Sequence, residues 1–193
     1  MIEFNKKRIF NITRNIPELE EIISELKKFM YERYYVDYLG IHVIDKDSRY
    51  MISRLDHQAW HDYYWEDSKV TVCPSMQQLT MLGRQQQIIL FFQTYQSRFL
   101  YEARDEIIGK VNLGSSILMG DQDTGNRIQF CITFQDGLSI DCLNVNILMS
   151  LVKDLNNYKT ILNPFMEYFT KVGNLNYTED LKMFVNKRKT LIL

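Results

Sequence analysis

The chain has 193 residues, 46% of them hydrophobic and 13% aromatic, which is enough for one substantial core and short for two independent domains. Lys and Arg number 23 against 24 Asp and Glu, a net charge of -1, so no global basic field draws the protein to nucleic acid or to an anionic membrane. No apolar run approaches the roughly 18 residues that span a bilayer, the longest candidates being "IILFF" and "SSILM", so no membrane association is expected.

The N-terminal "MIEFNKKRIFNITRN" is basic but lacks an apolar segment of signal-peptide length. Cys73, Cys131 and Cys142 are odd in number and form no CxxC pair, which favours reduced thiols over a disulfide framework or a zinc site. A cytoplasmic protein is expected.

Asn15, with Glu18 three residues on and Pro17 in the first turn, predicts the start of a helix over "IPELEEIISELKKFMYERYY". Leu19, Ile22, Ile23, Leu26, Phe29 and Met30 then recur at the spacing of one helical face. "VDYLGIHVID" and "SRYMISRL", separated by Lys46 and Asp47, read as a β-hairpin. In "DHQAWHDYYWED", Asp56 is a candidate N-cap, and the four-residue spacing of Trp60 and Tyr64 sets both on one helical face. Residues 67–86 are polar, interrupted by Pro74 and Gly83, and are expected to hold a loop and a short helix.

"QQIILFFQTY" reads as a strand and "QSRFLYEARDEII" as a short helix ending at Gly109. "KVNLGSSILMG" and "RIQFCITFQ" make a second hairpin around "GDQDTGN". In the latter strand Ile128, Phe130, Ile132 and Phe134 alternate with Gln129, Cys131, Thr133 and Gln135, so one face is expected to be buried. A long helix follows from about Leu143, its stripe running through Leu148, Leu151, Val152, Leu155, Tyr158, Leu162, Phe165, Met166 and Phe169, with Pro164 a candidate kink and Gly173 a stop. The "KRK" of the tail reads as solvated. The whole is expected to be α+β: an α/β/α layered sandwich on a five-stranded, mainly antiparallel sheet, occupying residues 15–172, with 173–193 as a tail.

This order of elements, with Trp60 and Tyr64 four residues apart on the helix after the first hairpin, resembles the PAS- or GAF-like sensor domain of LuxR-type transcription regulators, which binds acyl-homoserine lactones. The resemblance puts the family's Asp-Pro pair at Cys73-Pro74 and its small-residue strand motif at "LGSSILM", around Gly114. It implies ligand roles for Trp60, Tyr64, Cys73 and Gly114, with Phe91 and Ser116 as further lining residues, a small and partly apolar ligand, and a homodimer or protein partner.

An indole donor and a phenol suit the polar head of such a ligand while their rings cover its apolar part, and a strand glycine admits close approach. A thiol at Cys73 is a much weaker acceptor than the family's carboxylate. A buried ligand amide facing it would lose roughly 1–3 kcal/mol, so a conventional lactone is not the expected ligand. Only about 20 residues follow Gly173, too few for the family's helix-turn-helix, and direct DNA binding by this chain alone is not expected. The competing reading is a protein–protein interaction module on the same fold, its pocket filled by Trp60, Tyr64 and neighbouring phenylalanines.

His57 and His61 stand four apart, as helical metal ligands do, but without the glutamate of HExxH, and a solvated face is the simpler reading. His42 in "GIHVID" reads as an ordinary strand residue. Asp45, Asp47, Asp121 and Asp123 fall near turns, where their side chains bond to local backbone, and do not make a calcium-loop pattern. No GxSxG, phosphate-binding glycine loop or Ser-His-Asp order is present. The sequence therefore predicts a non-enzymatic protein without cofactor or metal.

Overall fold

The computed structural model describes residues 9–11, 17–47, 51–66, 78–79, 88–92, 106–107, 115–135 and 143–172. In chain order these form β1 (Ile9–Asn11), α1 (Pro17–Tyr34), β2 (Val36–Ile44), β3 (Met51–Leu55), α2 (Gln58–Glu66), β4 (Ile88–Phe92), β5 (Ser115–Gly120), β6 (Arg127–Phe134) and α3 (Val145–Val172). The fold is α+β. The strands make one sheet in the order β1-β3-β2-β6-β5-β4.

The sequence predicts five strands, whereas the described residues form a sheet of six. Ile9–Asn11 adds a parallel strand beside β3, with Ile9 opposite Met51, and three residues are too short to carry a readable alternation. The β3-β2, β2-β6, β6-β5 and β5-β4 pairs are all antiparallel.

In α1, Pro17 occupies the first helical position, where its missing N–H costs nothing. Ile22, Ile23, Leu26, Met30 and Tyr34 form its buried stripe. Tyr35 closes the helix at φ 56, its N–H bonded to the Tyr31 carbonyl, a left-handed position that glycine usually takes. After β2 the Asp45 carboxylate accepts the N–H of Asp47 at 3.2 Å and turns the chain toward β3; residues 48–50, the start of the second expected strand, lie outside the described residues.

Asp121 closes the β5–β6 turn more fully. Its Oδ1 accepts from the N–H groups of Asp123 and Thr124 and from the Thr124 hydroxyl, while Gly125 takes the φ of 72 that the turn requires. Asn144 caps α3 by accepting the N–H of Asn146 at 2.8 Å, and the helix continues across Pro164.

One face of the sheet carries Leu39, Ile41, Val43, Ile52, Ile117, Met119, Ile128, Phe130, Ile132 and Phe134 into a core shared with α1 and with Leu151, Leu155, Ile161 and Leu162 of α3. Each fully buried side chain of this size contributes about 1.5–3 kcal/mol of transfer free energy, so this face dominates stability. Polar ties pin α3 to the sheet around it. Asn163 donates to Asp121 Oδ2 at 2.6 Å, the buried Lys159 ammonium lies 3.5 Å from the same oxygen and donates to the Gly120 carbonyl, and the Tyr34 hydroxyl donates to Asp154 at 2.5 Å. Burial alone would raise the Asp121 carboxyl, but the Thr124 N–H and hydroxyl and the Lys159 charge outweigh it and hold it below the ordinary aspartate range.

Among the described residues, no helix is long and apolar enough to cross a membrane.

Candidate ligand site on the polar face of the sheet

Strand alternation sends the residues between those of the apolar core to the opposite face. There the register builds three rows: Tyr38 with Thr133; Leu55, Gly40, Cys131 and Ser116; and Ser53, His42, Gln129 and Leu118. His42, Ser53, Ser116, Gln129 and Thr133 are each 1% exposed or less. The polar half of the β6 alternation is therefore as buried as the apolar half.

The cover over His42 comes from α2. Trp60 and Tyr64 are both buried, the Tyr64 ring centroid lies 6.0 Å from that of His42, and the Trp60 and Tyr64 rings are 5.5 Å apart. Tyr63 stacks on the outer side of Trp60 at 5.6 Å. The helix turns back over the sheet at His57, whose φ of 66 makes the abrupt change of direction between β3 and α2.

Asp56 does not serve as the N-cap that its position suggests. Its carboxylate instead accepts the Leu39 N–H and pairs with Arg54 and Lys27, while Arg54 also pairs with Glu20. This charged knot ties α1, β2 and β3 together where α2 departs. Burial works against the Arg54 charge, but Glu20 and Asp56 more than compensate and hold its pKa above the ordinary value.

Three neutral hydrogen-bonding groups are chained across the middle of the polar face. Gln129 Nε2 donates to Ser116 Oγ at 3.1 Å, and Ser116 donates to Cys131 Sγ at 3.8 Å. The Thr133 hydroxyl is buried and has no hydrogen-bond partner among the described residues. Gly40 lets the centre pack closely, since a Cβ there would stand 2.7 Å from Leu55 Cδ2 and 3.3 Å from both Cys131 Cβ and the Tyr38 hydroxyl, so the Leu55 side chain would have to shift. At the far end Arg127 donates from one guanidinium nitrogen to the carbonyls of Asp45 and Lys46.

The structure thus brings together Trp60, Tyr64 and Ser116 of the expected site residues, on or above one sheet face. Phe91 stands in register with Ser116 on the neighbouring strand β4. Cys73 and Gly114 lie outside the described residues. Residues not singled out from the sequence, namely Tyr38, Gly40, Ser53, Gln129 and Thr133, complete the face, and His42 belongs to it as more than an ordinary strand residue. The signal available for them was the run of small and polar residues at every second strand position, which by itself reads as a solvated face. His57 precedes α2 and is exposed, so it does not share a helical turn with a second imidazole, and no group of potential metal ligands occurs among the described residues.

No protein-family model matches the chain, and no curated protein matches it.

Proposed function

We propose that the chain is a non-enzymatic small-molecule sensor or regulatory domain that holds a partly apolar ligand between α2 and the polar face of the sheet. In this proposal α2, the sheet, and α1 with α3 are the three layers of a PAS- or GAF-like sandwich resembling the ligand-binding domain of LuxR-type regulators. A conventional acyl-homoserine lactone is not the proposed ligand, and no DNA contact is assigned to this chain. The observation that carries the proposal is the burial of Trp60 and Tyr64 above a floor of buried polar side chains, His42, Ser53, Ser116, Gln129 and Thr133. An apolar floor would be more stable, and polar groups kept under aromatic rings suit a ligand with both kinds of surface. Occupancy would act through linkage on a homodimer or partner surface, for which the exposed Val145 and Met149, four apart on α3, are candidates.

Native mass spectrometry of protein purified from its own cellular background tests this, followed by thermal-shift assays with the compounds recovered. A co-purifying, partly apolar molecule that raises Tm by several degrees is the expected result. Failure of recovered compounds and of varied lactones, lipids and metabolites to raise Tm would overturn it.

The mutual packing of Trp60, Tyr63 and Tyr64 favours a second reading, in which these rings fill the interlayer themselves and the fold serves protein–protein contact. Trp60→Ala separates the two: a filled interlayer loses about 3–5 kcal/mol of stability with no ligand to restore it, whereas a ligand site loses its thermal response.

A further inference from the structure

The Thr133 hydroxyl is the informative group on the polar face. Its side chain is 1% exposed, and among the described residues neither a backbone nor a side-chain group satisfies its oxygen. Orphaned buried hydroxyls are costly, so one that is retained calls for a reason. Thr133 sits at one end of the floor, opposite Tyr38, and four strand residues away Gln129 sits opposite His42, beneath the Tyr64 ring. At roughly 3.3 Å of rise per residue the two ends are about 13 Å apart. The floor between them consists of Gly40, Leu55, Ser116 and Cys131, all uncharged. The charges of Arg54, Asp56, Glu20 and Lys27 are engaged with one another, and Arg127 donates to backbone carbonyls at the far end.

We infer that this floor selects an elongated, uncharged ligand that presents a hydrogen-bond acceptor, such as an amide, ketone or ester carbonyl, to the Thr133 hydroxyl, with its apolar body running toward Trp60 and Tyr64. The inference rests on the ligand site proposed above. Among the described residues, a carboxylate or an ammonium placed at Thr133 would meet neutral groups, the Thr133 hydroxyl with Tyr38 opposite it, and lose most of its hydration, whereas a carbonyl there exchanges one hydrogen bond to water for one to protein. Thr133 is thus a specificity-determining residue that destabilises the empty protein and repays the loss on binding. Ser115 is the internal contrast. Its hydroxyl is also buried without a partner among the described residues, but it stands opposite Ile132 on the apolar core face.

Three probes of matched length, octanamide, octanoate and octylamine, test the inference by calorimetry and thermal shift on the full chain, on wild type, Thr133→Val and Ser115→Ala. Octanamide is expected to bind wild type at least tenfold more tightly than either charged probe. Thr133→Val is expected to weaken octanamide on the order of tenfold, the loss of one buried hydrogen bond, while raising the Tm of the free protein by about 2–4 °C. Ser115→Ala should leave octanamide binding unchanged. Octanoate binding as tightly as octanamide would overturn the inference and leave the ligand site standing. Unchanged octanamide affinity in Thr133→Val would overturn the role of that hydroxyl. If none of the three probes binds wild type, the inference fails for ligands of this length, and the site itself is then judged by the compounds recovered in native mass spectrometry.

Discussion

The two faces of the sheet are built from the same strands, residue by residue, yet they are opposite in character. Under α1 and α3, Ile128, Phe130, Ile132 and Phe134 of β6 enter an apolar core, while Gln129 and Thr133 on the same strand are buried to the same degree on the opposite face. Burial alone therefore does not distinguish them. What differs is how each face uses it: the first converts buried area into stability, and the second holds hydrogen-bonding groups whose desolvation detracts from it.

The comparison can be broken most directly at Phe130. Phe130→Ala should cost about 3–5 kcal/mol, read as a shift in the denaturant midpoint at unchanged m-value, because the cavity it leaves lies among rigidly packed neighbours. A loss below about 1 kcal/mol would mean that the core face is not the main source of stability.

At the seam between the faces, Asp56→Ala should cost about 3 kcal/mol, since it leaves Arg54 buried beside only Glu20 and strands the Leu39 N–H. Because the same carboxylate anchors the chain immediately before α2, the change should also loosen the aromatic cover. Increased acrylamide quenching of tryptophan fluorescence in the folded variant is the expected readout.

A smaller, pH-dependent effect is expected at Asp121, which ties the β5–β6 turn to α3. Its pKa is lowered in the folded state, so the ionised form is the one that stabilises. The contribution is complete at neutral pH, declines as pH falls through the ordinary aspartate value near 3.9, and is gone below the depressed folded value. Asp121→Asn should lose about 1–2 kcal/mol at pH 7 and flatten this part of the acid-unfolding profile. An unchanged profile would remove Asp121 from the account.

The smallest effect on stability is predicted on the polar face. Gln129→Leu should alter folding stability by no more than about 1 kcal/mol, because it replaces a desolvated amide with an apolar group of similar size. The same change should abolish ligand-dependent thermal shifts. A large loss of stability would show that Gln129 is a structural core residue like its neighbours Ile128 and Phe130.

How far the sequence carried can be judged from particular residues. The stripe Ile22, Ile23, Leu26 and Met30 was legible because a helical period repeats over several turns, and Trp60 and Tyr64 because four residues bring two rings to one side. Strand β1 was not legible, since three residues carry too little pattern. Asp56 was misassigned because a cap and a buried ion-pair partner are the same residue type, and only the positions of Arg54, Lys27 and the Leu39 N–H decide between them. His42, Gln129 and Thr133 were missed because polar residues at alternate strand positions ordinarily face water.

The features legible from the residues alone are therefore local: where the chain turns, which helices are amphipathic and which strand positions share a side, all properties of neighbours a few residues apart. It took the folded chain to show that the polar side of the sheet is buried, that Asp56 belongs to a charged knot, and that Thr133 has no hydrogen-bond partner among the described residues. Each of these depends on groups brought together across tens of residues, where no periodicity connects them.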